Sequence, residues 1–146
     1  MSVIDSTLSF SDAQALANLS SAATTVSTSK PAIQNTNKNT WGSSISPQIG
    51  GLVWNCNVNT AMVGAGAAIV ASLVTKANAS SMSSGSTVIA TMTFPALSPA
   101  GTRKALVMPP GQQCLAYLGV LYTASGAKLT SAKFDSWMGT DNEVID

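Results

Sequence analysis

Leu52-Val-Trp-Asn-Cys-Asn-Val-Asn-Thr60 places Leu52, Trp54, Cys56 and Val58 on one side of an extended chain and Asn55, Asn57 and Asn59 on the other. Successive side chains of a strand point to opposite faces, so this period of two predicts a half-buried antiparallel strand. Thr87-Val-Ile-Ala-Thr-Met-Thr-Phe94, rich in β-branched residues and ended by Pro95, predicts a second.

Working outward, the same signals recur at fairly even spacing. Ala67 to Thr75 is short and apolar; its β-branched Ile69, Val70, Val74 and Thr75 favour strand over helix. Thr102 to Met108 is stopped by Pro109-Pro110-Gly111, and a turn at 99–101 precedes it. Cys114 to Thr123 is apolar on both sides, as expected of a central strand covered on both faces. Ser125-Gly126 is a hairpin-turn signal, and Lys128 to Met138 closes the set with Leu129, Phe134 and Trp137.

The flanks are less regular. Residues 1–16 read as an N-terminal arm or opening strand, although Ser11 followed three residues on by Gln14 also fits a helix capping box. Ala22 to Thr28 is β-rich. From 29 to 51 the chain is dense in Pro, Asn, Ser and Gly and reads as a long loop, as does the serine-rich stretch 79–86. Residues 139–146 form a C-terminal tail. Seven or eight short strands in 146 residues predict a single all-β domain, a jelly-roll-like antiparallel β-sandwich with extended terminal arms.

Charge is distributed in an unusual way. Asp5, Asp12, Asp135, Asp141, Glu143 and Asp146 all lie near an end, and there is no histidine. Between Ala13 and Phe134 the only charges are Lys30, Lys38, Lys76, Arg103, Lys104, Lys128 and Lys133. Side chains that exchange protons near neutral pH are mostly His, Asp and Glu. A body without them argues for a passive, surface-binding role over catalysis. Charged residues make up 9% of the chain, with Ser, Thr and Asn filling the deficit. So neutral a surface repels copies of itself weakly.

Other function classes fail on the same grounds. A net charge of +1, with Arg103-Lys104 the one adjacent basic pair, gives no footprint for nucleic acid. Cys56 and Cys114 are far apart, lack CxxC spacing, and read as buried free thiols; with no histidine the chain is short of zinc or iron ligands, and no cofactor is expected. The first residues carry no secretory signal, and the longest apolar stretch, 61–74, is too short to span a bilayer, so we expect a protein made in the cytoplasm and not embedded in membrane. Val63-Gly-Ala-Gly-Ala-Ala-Ile69 has Ile where a dinucleotide loop needs a third Gly or Ala, and no acid follows to hold a ribose. Paired carboxylates for glycoside hydrolysis would have to come from the ends, and serine is too abundant for a Ser–Lys pairing to mean anything.

Tryptophan is the remaining signal. Trp54 alternates with apolar neighbours and reads as core, whereas Trp41 lies in the long loop and is the best single anchor for an interface.

Several stretches taken together carry a resemblance. They are Leu8-Ser-Phe-Ser-Asp-Ala-Gln-Ala15 with the Thr/Ser-rich strand after it, Gly50-Gly51, Met108-Pro-Pro-Gly111, Tyr117-Leu-Gly-Val-Leu-Tyr122, and Leu129-Thr-Ser-Ala-Lys-Phe-Asp135. In that order, and over most of the chain, they resemble the capsid cement (decoration) proteins of Bordetella-phage type, from tailed bacteriophages. The resemblance implies a jelly-roll sandwich on the outer surface of the virion head. Such a protein self-associates as a homodimer or homotrimer, bridges subunits of the major capsid protein, and has no catalytic residues. Interface residues expected on this reading are Phe10 and Asp12 at the front, Trp41 in the loop, the Arg103–Lys104 pair, and Asp135 at the back. The competing expectation is a carbohydrate- or receptor-binding β-sandwich on a virion or cell surface, which needs a cluster of exposed aromatics.

Overall fold

In a computed structural model the described residues are 9–19, 24–26, 30–31, 50–77, 84–115 and 117–139. Nine strands cover most of them: β1 Ser9–Leu19, β2 Thr24–Val26, β3 Lys30–Pro31, β4 Val53–Gly64, β5 Ala68–Lys76, β6 Thr87–Phe94, β7 Arg103–Val107, β8 Tyr117–Ser125 and β9 Leu129–Gly139. One sheet has the order β1-β9-β4-β7; the other has β2-β8-β5-β6, with β3 also pairing β8. Every pairing is antiparallel. Among the described residues β5–β6 is the one pair of sequence neighbours that share a ladder; β2 and β3 both pair β8 in one sheet, and at every other step the chain switches sheets between strands. Two antiparallel sheets packed face to face make the fold a β-sandwich, an arrangement compatible with a jelly roll.

The core forms where the two inner faces meet. Trp54, Cys56 and Val58 of β4 point inward, as their alternation requires, and are fully buried. Phe134 of β9 meets Phe94 of β6 edge-on at a centroid distance of 5.2 Å and Tyr122 of β8 at 5.2 Å, so one ring from the first sheet is held between two from the second. Such pairs add roughly 0.5–1.5 kcal/mol beyond the burial itself.

Several expectations are refined. Residues 9–16 belong to an integral strand, β1, so this part of the chain is neither a free arm nor a capped helix. The helical capping pattern loses because β9 offers β1 a full ladder of partners. Ser125-Gly126 does reverse the chain, with Gly126 at φ 89°, but β8 and β9 lie in different sheets, so the turn crosses the sandwich instead of closing a hairpin. Asn55, expected to face solvent, is buried. Residues 1–8, most of the 29–51 loop including Trp41, most of 79–86, and 140–146 lie outside the described residues.

Two of the quoted stretches meet at one end of the sandwich. Gly51 N–H donates to Met108 O at 3.0 Å and Met108 N–H to Leu52 O at 2.8 Å. A Cβ on Gly50 would sit 2.6 Å from Gly111 N and 2.8 Å from Pro109 O. Glycine at 50 therefore lets the Pro109-Pro110-Gly111 turn lie flat against the start of β4.

Candidate functional site

The richest cluster of reactive groups is inside the sandwich. Ser11 Oγ of β1 and Tyr122 OH of β8 share a hydrogen bond at 2.7 Å. Trp54 Nε1 donates to Ser136 Oγ at 2.9 Å, and Ser136 Oγ donates to Asn55 O at 3.2 Å. Cys56 lies in hydrogen-bond contact with both Tyr122 and Ser136. Alternation brings them together: Trp54, Cys56 and Ser136 all project inward from paired strands, and Tyr122 reaches them from the opposite sheet.

This cluster is chemically quiet. Burial pushes the Cys56 thiol from its ordinary 9.0 up to about 12, only partly offset by the hydrogen bond from Tyr122. Burial, with Cys56 nearby, holds the Tyr122 phenol well above its ordinary range. Cys114, also buried, is pushed up to about 11. The thiolate is the reactive form of cysteine, so thiols this reluctant to ionise are poor nucleophiles at neutral pH. The cluster ties β1, β4, β8 and β9 together through satisfied buried polar groups.

A second cluster lies on the outer face of the β1-β9-β4-β7 sheet. Asp135 Oδ1 accepts the backbone N–H of Ala13 at 2.6 Å, and its Oδ2 accepts Asn57 Nδ2 at 3.3 Å and Asn59 Nδ2 at 3.0 Å. Ala13 sits at φ 47°, in the left-handed region, within a register shift between Ser11 and Gln14 that marks a β-bulge. Beside it, Arg103 Nη2 donates to Asn55 Oδ1 at 2.7 Å, and the guanidinium carbon lies 5.2 Å from the Trp137 ring centroid. Asn55 Nδ2 in turn donates to Val53 O at 3.2 Å. Arg103, Asn57 and Asp135 are register partners across β7, β4 and β9. The apparently solvated asparagine row thus forms the polar seam of this sheet.

The structure redistributes the expected interface residues. Phe10 is buried in the core, 4% exposed, which corrects the expectation that it is a surface contact. Asp12 lies in β1 at the bulge. Asp135 is half-buried and occupied by three N–H donors, so it is not a carboxylate on a loose arm. Arg103 and Lys104 do not form one basic patch, because adjacent strand residues face opposite ways. Arg103 lies on the outer face, whereas Lys104 turns towards the second sheet and stands 5.7 Å from the Phe94 ring centroid. Trp41 lies outside the described residues.

Sequence reasoning missed Ser11, Asn55, Tyr122 and Ser136 as a connected set. The signal lay in the quoted stretches themselves: Ser11 and Ala13 from the opening meet Tyr122 and Asp135 from the two closing strands. Of the eight aromatics, Phe10, Trp54, Phe94, Tyr122, Phe134 and Trp137 are buried and Tyr117 is half-buried, leaving no exposed aromatic platform among the described residues. Among those residues no three His, Cys, Asp or Glu gather where they could hold a metal ion. Nor is any helix there long and apolar enough to cross a membrane. No protein-family model and no curated protein matches the chain.

Proposed function

We propose that this chain is a virion structural protein that binds the outer surface of a phage capsid and cements subunits of the major capsid protein together. The observation that carries the reading is the use to which the reactive groups are put. Ser11, Cys56, Tyr122, Asp135 and Ser136 are all spent on holding the sandwich together. The remaining described surface is polar, with the exposed lysines Lys104, Lys128 and Lys133 and single apolar side chains exposed at Val63, Val88, Leu97, Leu106, Val107 and Leu115. Such a surface fits adhesion better than turnover. The jelly-roll-like sandwich and the resemblance of the quoted stretches to decoration proteins support the same conclusion.

The physics of cementing is mass action. A protein that binds the assembled shell but not the free subunits stabilises the shell by RT ln(1 + [L]/Kd) per site, about 2.7 kcal/mol at a hundredfold excess over Kd. Repeated over the sites of a shell, such increments oppose internal pressure.

The test is to add the purified chain to heads that lack it, image the particles, and measure the temperature at which the heads release their contents. Ordered density on the outer surface and a raised release temperature are expected. Absence of the chain from intact particles, with no binding to heads, would overturn the reading.

A further inference from the structure

The outer face of the β1-β9-β4-β7 sheet has no described strand lying over it. One part of that face is nevertheless buried. Val53 is 6% exposed, Asn55 0% and Trp137 1%, and Gly139 beside them is buried as well. Register places the four together, Val53 against Gly139 and Asn55 against Trp137. Neither Val53 nor Trp137 belongs to the core cluster between the sheets. The burial is also local: Ala105 and Val107, the partners of Asn55 and Val53 on β7, are exposed, and so is Asn59 further along β4.

Trp137 adds a second observation. The Arg103 guanidinium lies over its ring, yet its Nε1–H is buried and meets no acceptor. Buried donors are nearly always satisfied, so this one points to a group outside the described residues. Three segments outside them join the sheet at this end: one enters β1 at Ser9, the register partner of Trp137, one leads to Gly50 and β4, and one leaves β9 at Gly139. The positive charge of Arg103 discriminates among them, because a guanidinium favours carboxylate neighbours. Residues 32–49 carry Lys38 and no acid, and residues 1–8 carry Asp5 alone. Residues 140–146 carry Asp141, Glu143 and Asp146 beside the apolar Val144 and Ile145.

We propose that residues 140–146 fold back over the outer face as a strap, with Val144 and Ile145 against Trp137 and Val53 and the acidic side chains towards Arg103. Asp141-Asn142 is a turn-forming pair, suited to reversing the chain just after β9. β9 already has β1 and β4 on its two sides, so the returning chain lies on the face and does not join the sheet. At 3.3 Å per residue, 143–146 run back about 13 Å. That brings Val144 and Ile145 over Trp137 and ends level with Asp135, whose row across the sheet includes Arg103. Lys133, exposed further along β9 on the same face, offsets the charge of Asp135. A carbonyl or carboxylate of the strap accepts the Trp137 N–H. The strap closes this patch to other partners in the free chain, and the inference does not rest on the capsid reading.

The test follows the indole N–H signals of the 15N-labelled full chain, with Trp137 assigned by the signal lost in Trp137→Phe. Nuclear Overhauser contacts from the Trp137 indole to the methyls of Val144 or Ile145 are expected, at every protein concentration. Solvent exchange of the Trp137 N–H should quicken about tenfold or more in Asp141→Lys/Glu143→Lys/Asp146→Lys, as local cover is lost. The Trp54 N–H, held by Ser136 inside the sandwich, should keep its rate, and Asp5→Lys should change neither. Absence of the methyl contacts would overturn the proposal whether or not the lysine variant folds. So would unaltered Trp137 exchange in that variant, or quickening by Asp5→Lys, which would assign the cover to residues 1–8. Protection of Trp137 that grows with protein concentration would also overturn it, by making a second copy the cover.

Discussion

The carboxylate of Asp135 accepts the backbone N–H of Ala13 at 2.6 Å, tying the middle of β9 to a bulge in β1 whose alanine stands at φ 47°. Two further donors, from Asn57 and Asn59, converge on the same group. An amide offers one oxygen where the carboxylate offers two, so Asp135→Asn leaves a donor facing a donor. We expect it to destabilise the fold by about 1–3 kcal/mol, and Asp135→Ala by a similar amount. Ala13→Gly should instead stabilise by up to about 1 kcal/mol, because glycine takes the left-handed conformation without a Cβ penalty. Urea denaturation of the three variants checks both signs.

Ser11 and Tyr122 bridge the two sheets through one buried hydrogen bond. Tyr122→Phe and Ser11→Ala should each cost about 1–3 kcal/mol, since each strands a buried partner. The double variant should cost less than their sum. A double-mutant cycle measures that coupling, and strict additivity would show that the bond contributes nothing.

Stability should be flat through neutral pH and fall above about pH 9. Burial raises the folded Cys56 thiol from 9.0 to about 12, so the unfolded chain loses that proton first as pH rises. Each unit between those values then favours unfolding by about 1.4 kcal/mol for this group. The contribution is fully present below the unfolded value and lost as pH climbs towards the folded one; Cys114 acts in the same direction up to about 11. Unfolding free energies from pH 7 to 10.5 test the slope, which Cys56→Ser should make shallower.

Arg103→Lys should not behave as a conservative change. The guanidinium donates to Asn55 Oδ1 and lies over Trp137 at once, a planar arrangement that a lysine ammonium cannot reproduce. A loss of about 1–2 kcal/mol is expected, with a shift in tryptophan emission from the altered surroundings of Trp137. Unchanged emission and stability would mean that the stacked geometry is energetically idle.

How legible all this was depended on the range of the interaction. β6 falls on the boundaries read from Thr87 to Phe94, and β4 on the alternation of Trp54, Cys56 and Val58, because both are local patterns of side-chain size and polarity. β3 went unread inside a loop-like stretch: a two-residue pairing with β8 leaves almost no local trace. Asn55 was placed on the correct face but assigned to solvent, since its burial comes with contacts to Arg103, distant in the chain. The Arg103–Lys104 pair looked like one charge cluster in the linear text. The strand's own pleat separates it.

By itself the sequence determined most of the longer strands, many of their inward residues, and the scarcity of groups that titrate near neutrality, all of which follow from composition and a period of two. Only the tertiary structure decided which strands share a sheet, that Asp135 holds a bulge 122 positions away, and that Asn55 is buried beneath Arg103. Pairing partners are chosen by contacts between residues far apart in the chain, and a local pattern of apolar and polar side chains specifies a face without naming what the face will meet.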